Sequence, residues 1–136
     1  MLKSFSPFET ASEKPIIAKG IAKMVWLKAF PEKETELRKI LSGSTQTSYT
    51  NAEKDNGKTV TVHEKDARVG DIVIWRNYSG GRATWKGHAG IVTKVNGTKG
   101  FSTIEGNQKN QVMEVDHVFD YDASDGRRIR GFIRLK

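Results

Sequence analysis

A chain of 136 residues with 23 Lys and Arg against 16 Asp and Glu, and no cysteine, suits one basic domain. It excludes disulfides, thiolate metal sites and a cysteine nucleophile within its own length. No run approaches the roughly 18 apolar residues of a membrane-spanning helix, "MLKSFSPFET" lacks the layout of a signal peptide, and the net charge of +7 favours anionic partners: nucleic acid, acidic membrane surfaces or cell-wall polymers.

Residues 12–30, "SEKPIIAKGIAKMVWLKAF", place Ile17, Ile21, Met24, Val25 and Phe30 at helical spacing. Ser12 suits the cap and Pro15 the first turn. Gly20 weakens the helix interior by about 1 kcal/mol against Ala. A second helix is expected in "PEKETELRKILSG", opened by Pro31 and acidic residues, closed by basic ones and stopped at Gly43. "TSYTNAEKDNGKTVTVHE" then reads as an exposed hairpin about Asp55-Asn56-Gly57, so residues 46–66 are taken as a hairpin insertion. From Arg68 onward short strands follow: "DIVIWR", "HAGIVTKV", "GFSTIEGN", "NQVMEVDHV" and "RIRGFIRL". Helices first and strands afterwards predict one α+β domain over residues 1–136. Its helical part is 1–45 and its sheet part 67–136, with helices packed on an antiparallel, partly closed sheet.

Three histidines are candidates for chemistry. His63, beside Glu64, and His117, beside Asp116, read as structural residues near exposed turns. No pair has the i, i+4 spacing of a helical zinc site, so no metal and no cofactor is expected. His88 has better company. The Asn96-Gly97 turn folds the next strand back, bringing Glu105 and Asn107 opposite it on one strand face. A carboxylate or an amide there can fix the tautomer of a general base; a buried polar cluster without catalysis satisfies the same spacing. "YSGGRATWKGHAG" is glycine-rich and basic but is not a phosphate loop. Its Trp75, Arg76, Tyr78, Arg82, Trp85 and Lys86 form either a lip for an anionic or sugar-bearing polymer or a solvated loop with its two tryptophans partly in the core.

The ordered set "VGDIVIW", "GHAGIV", "TIEGN" and "RGFIR", over residues 69–135, resembles the CHAP family. These are papain-like peptidoglycan amidases and endopeptidases related to the NlpC/P60 peptidases. The resemblance implies a papain-like fold, His88 as general base, Glu105 and Asn107 orienting it, and Gly70-Asp71 supporting the site without chemistry. Trp75, Trp85 and Gly87 would then border the substrate, a stem-peptide or crossbridge amide, cleaved through a cysteine acyl-enzyme. The family's cysteine helix is absent; "AKGIAKMVWLKAF" resembles the later Trp-Leu piece, which would start this chain just after the nucleophile. Ser4, Ser6 and Ser12 are poor substitutes.

The chain is therefore expected not to hydrolyse amides as it stands, being either a truncated hydrolase or a pseudoenzyme. Loss of the helix would bare Ile72, Ile74, Ile91 and Val92, to be covered by residues 1–30 or by a homodimer. The rival reading is a non-catalytic basic module gripping nucleic acid or another anionic polymer. If the wall reading holds, the place of work is extracellular or periplasmic.

Overall fold

The computed structural model describes residues 14–106, 111–119 and 126–136; Ser4, Ser6, Ser12 and Asn107 lie outside them. Three helices, α1 (Lys14–Ala29), α2 (Glu34–Ile40) and α3 (Thr45–Asp55), precede six strands. The strands are β1 (Val60–His63), β2 (Ile72–Ser79), β3 (Arg82–Asn96), β4 (Gly100–Gly106), β5 (Val112–Val118) and β6 (Gly126–Leu135). They form one antiparallel sheet in the order β1-β6-β2-β3-β4-β5. Expected to be partly closed, the sheet is open: β1 and β5 are its edges and do not pair.

The helices follow from apolar stripes and local stops. From Gly20 onward the buried residues of α1 are Ile21, Ala22, Val25 and Trp26, one face of a 3.6-residue period. Gly20 leaves helical geometry at φ −126° and ψ 28°, kinking α1 where the sequence loses its side chain. A 3-10 turn at Pro31–Lys33 leads into α2, which buries Leu37 and Ile40 and ends before Gly43, at the extended Leu41.

The expected hairpin at 46–66 is instead α3 followed by β1. Ser44 caps α3 by accepting from the Thr47 amide, and Asn56 at φ 53° ends it in the left-handed region. Residues that tolerate positive φ thus terminate a helix here rather than turn a hairpin. The Asp55 carboxylate also accepts from the Thr59 and Val60 amides, at 2.6 and 3.0 Å, and steers the chain into β1.

Alternation along the strands divides the core into two faces. Ile72, Ile74, Ile91 and Ile133 pack beneath Ile21, Val25, Trp26, Leu37 and Tyr49. At roughly 1.5–3 kcal/mol for each buried aliphatic side chain, this is the main adhesion of helices to sheet. Of the two covers expected for Ile72, Ile74, Ile91 and Val92, the chain's own segments or a second copy, helices α1–α3 supply it for the first three. Val92 lies on the other face, with Val73, Trp75, Phe101, Ile129 and Phe132.

One buried ion pair fixes the sheet near the start of β2. Asp71, 2% exposed, takes Arg134 Nε and Nη2 at 2.9 and 2.8 Å and also accepts from the Arg68 amide. Gly70, at φ 97°, precedes it, and its carbonyl accepts the Trp26 indole N–H at 2.9 Å. Gly70 and Asp71 thus join α1, β2 and β6.

Candidate active site

β3 and β4 are joined by the turn after Asn96, with Gly97 at φ 62°, and pair as Ile91↔Ile104. That register carries β4 back past the start of the buried stretch of β3. His88 leaves β3 on the same face as Trp75, its direct partner on β2. There His88 Nε2 lies 2.8 Å from Glu105 Oε1. Sequence spacing alone placed this pair together.

The carboxylate has two further partners. His117, on β5, brings its Nε2 to 2.9 Å from Glu105 Oε2, and the Thr103 hydroxyl donates to the same oxygen at 2.5 Å. His117 was expected at a surface turn; it is instead the second imidazole of the site. A signal for it existed: period two in "MEVDHV" sets Met113, Val115 and His117 on one face. Which sheet face that is depends on the β4–β5 register, Phe101↔His117 and Thr103↔Val115, which no turn motif announces.

Because a carboxylate only accepts, each imidazole holds its proton on Nε2. In the neutral ring this leaves Nδ1 of His88 as the basic atom. Glu105, 6% exposed, would be pushed up by burial alone. Hydrogen bonds from His117, His88 and Thr103 outweigh that and hold its carboxyl well below its ordinary value. Glu105 is therefore an anion at every physiological pH.

Aromatic rings wall the cluster. Trp75 lies 5.6 Å from the His88 ring and 4.6 Å from that of His117, and Phe101 lies 5.4 Å from His117. The two histidine side chains keep 20% and 17% of their surface open. The arrangement can hold a proton acceptor at an apolar surface and stabilise it once protonated. Among the described residues no group of three or more His, Cys, Asp or Glu is disposed to hold a metal ion.

Two of the residues expected to border substrate have structural roles. Trp75 is 2% exposed and is part of the wall beneath the imidazoles, not of a surface lip. At Gly87 a Cβ would overlap the Trp75 carbonyl and the Gln46 side-chain amide. Gln46, fully buried at the start of α3, donates to that carbonyl at 2.8 Å and accepts from Arg130 at 3.0 Å. The missing side chain of Gly87 thus makes room for α3 to dock on β3. Trp85 is on the surface at 67% exposure. His63 lies in β1, bonded to Thr61 at 3.0 Å.

The family model for the CHAP domain matches residues 22–107, more than half of the chain, and the chain belongs to the CHAP family. The match takes in the second half of α1 as well as the His88 and Glu105 strands, beginning further toward the amino terminus than the motifs at 69–135. CHAP domains act on peptidoglycan, and the family is one of peptidoglycan hydrolases. Among curated proteins no sequence relative matches. Among the described residues no helix is long and apolar enough to cross a membrane.

Proposed function

We propose that this chain is a papain-like CHAP module for cell-wall peptide in which His88 is the base, with Glu105 and Asn107 orienting it. Having no cysteine among its 136 residues, it binds the stem-peptide or crossbridge amide without cleaving it. The observation that carries this is the 2.8 Å bond from His88 Nε2 to a buried, ionised Glu105. It leaves Nδ1 as the acceptor, the arrangement that a base serving a thiol requires. His117, held by the same carboxylate, keeps Glu105 charged and so acts through it.

The test is a pair of measurements on purified sacculi. The wild-type chain should sediment with them and release no new amino groups over hours. His88→Ala should lose at least tenfold in binding. Release of amines by the wild type would end the claim of inactivity. Binding by His88→Ala equal to that of the wild type would end the claim that wall peptide sits at this site.

A further inference from the structure

β6 opens with "RRIR", and two of its arginines meet a third on β2. Arg128 pairs directly with Arg76 across the β2–β6 ladder. Like charges placed directly opposite one another destabilise a sheet. Next along β6 the register slips: Trp75 pairs with Ile129 but Ile74 with Gly131, so Arg130 is the extra residue of a bulge. A bulge re-aims the side chain it carries. Arg76, Arg128 and Arg130 all border one pocket of about 190 Å³, together with Glu64, Lys65 and Tyr78. The pocket shares no residue with the His88 cluster.

Neutral groups hold each guanidinium in place. Arg76 Nε donates to the Thr84 carbonyl at 2.7 Å. The Arg128 guanidinium lies 4.1 Å from the centre of the Tyr78 ring, and that of Arg130 lies 4.4 Å from the centre of Tyr49. Arg130 Nη1 also donates to the Gln46 carbonyl and to Gln46 Oε1, at 3.2 and 3.0 Å. The Glu53 carboxylate stands 3.7 Å from Arg130 and is half exposed, so it offsets little of the charge. Burial first, and then Arg76, pull the Arg130 guanidinium below its ordinary value, against Glu53, Tyr49 and Tyr78. The fold thus fixes three cations about one space, and their mutual repulsion is there for an arriving anion to relieve.

We propose that this pocket binds the dianionic phosphate of a phosphomonoester. Guanidinium forks match phosphate oxygens two N–H groups at a time. Three forks from two strands suit a group with three terminal oxygens, which a monoester has; a phosphodiester or a carboxylate offers two. The charge agrees: Lys65 and the three arginines face Glu64, a surplus that one negative charge does not cancel. A pocket of about 190 Å³ has room for the phosphate and a short stem of its alcohol. The argument uses neither His88 nor the cell-wall reading.

The test titrates methyl phosphate, dimethyl phosphate and acetate into the full chain at about pH 8, where the monoester carries two charges, followed by 31P and 13C NMR of the probe. Methyl phosphate should bind about tenfold more tightly than either comparator. Arg76→Gln and Arg128→Gln should each weaken it about tenfold, the worth of one charge-assisted hydrogen bond. Glu64→Gln removes a repelling carboxylate and should tighten it. Lys99→Gln removes the same charge from the exposed β3–β4 turn and should leave binding unchanged. Arg76→Gln should also keep the wild-type urea midpoint, since it ends a like-charge pairing, so lost binding there is not lost folding. Equal affinity for the monoester and the diester, no binding of methyl phosphate, or as large a loss in Lys99→Gln as in Arg76→Gln overturns the proposal. Oligo-dT with and without a 5′-phosphate identifies the source of the monoester. A strand end is the source if the phosphate tightens binding about tenfold, and a free small molecule if it does not.

Discussion

Glu105→Gln tests whether a charged carboxylate, rather than shape, organises the site. In the native protein three donors converge on Glu105: His88 at 2.8 Å, His117 at 2.9 Å and Thr103 at 2.5 Å. A glutamine has one acceptor oxygen and one NH2. If its oxygen serves Thr103 and His117, its NH2 faces the N–H of His88, donor against donor. His88 then either loses its partner or moves its proton to Nδ1, which removes the base atom. Hydrogen bonds to a charged group are worth roughly 1.5–3 kcal/mol, and a buried donor left unpaired costs about 1–3 kcal/mol. The expected loss is about 3 kcal/mol, in line with breaking a buried ion pair. With a urea slope of about 1.5 kcal/mol/M, the midpoint falls by about 2 M.

The pH dependence gives a second readout. The folded protein holds Glu105 below its ordinary 4.5, so between the two values the unfolded chain binds more protons. Stability from this group is therefore complete above about pH 4.5 and is lost as pH falls toward the folded value, at about 1.4 kcal/mol per unit. The gap between wild type and Glu105→Gln should be full at pH 7 and smaller by at least about 1 kcal/mol at pH 3. A gap below about 0.5 kcal/mol at pH 7, or one equally wide at pH 3, would refute the reasoning.

Gly87→Ala forces a methyl into the Trp75 carbonyl and the Gln46 amide and should cost about 1–3 kcal/mol by urea unfolding; an unchanged midpoint would mean α3 is not seated on β3. Asp71→Asn leaves Arg134 with half of its bidentate partner and should lose about 3 kcal/mol, seen as a thermal midpoint roughly 10 °C lower. Tyr49, 3% exposed, has its phenol pushed up to about 12, first by burial and then by Glu53 and Glu64, against the pull of Arg130. The folded state binds its proton more tightly, so stability falls between pH 10 and 12 by on the order of 3 kcal/mol, and Tyr49→Phe should abolish that alkaline slope.

The strands and the His88–Glu105 pair were legible because both rest on local rules. Alternation marks the strands, and an Asn-Gly turn halfway between two residues brings them together. Residues 46–66 were misread because α3 buries Gln46 and Ser48 beside Tyr49 and Ala52, so polar side chains break the apolar period. The sequence leaves Trp75 between a surface lip and the core, although "DIVIW" is continuously apolar, the mark of a strand covered on both faces; the basic residues after it keep the surface alternative open, and the core holds it. His117 and Gly87 owe their roles to contacts between elements distant in sequence. No local pattern encodes a carboxylate shared from β4 to β5, or a glutamine from α3 lying where a side chain would be.

His117→Phe asks whether the second imidazole is packing or chemistry. Its ring already sits 4.6 Å from Trp75 and 5.4 Å from Phe101, so phenylalanine fits the space and keeps an aromatic contact worth about 0.5–1.5 kcal/mol. What is lost is one charge-assisted bond to Glu105, about 1.5–3 kcal/mol, so the net destabilisation should be about 1 kcal/mol. The informative consequence is electrostatic. The His117 hydrogen bond leads the effects that pull Glu105 down against its burial. Without it, burial regains ground and the Glu105 carboxyl moves up toward its ordinary range. Carboxyl 13C shifts followed from pH 2 to pH 7 should show that displacement. Binding of sacculi should weaken on the acid side, where Glu105→Gln and His117→Phe become alike. If Glu105 titrates in His117→Phe as in the wild type, His117 is only a wall of the site, and the bonds from His88 and Thr103 alone keep the carboxylate charged.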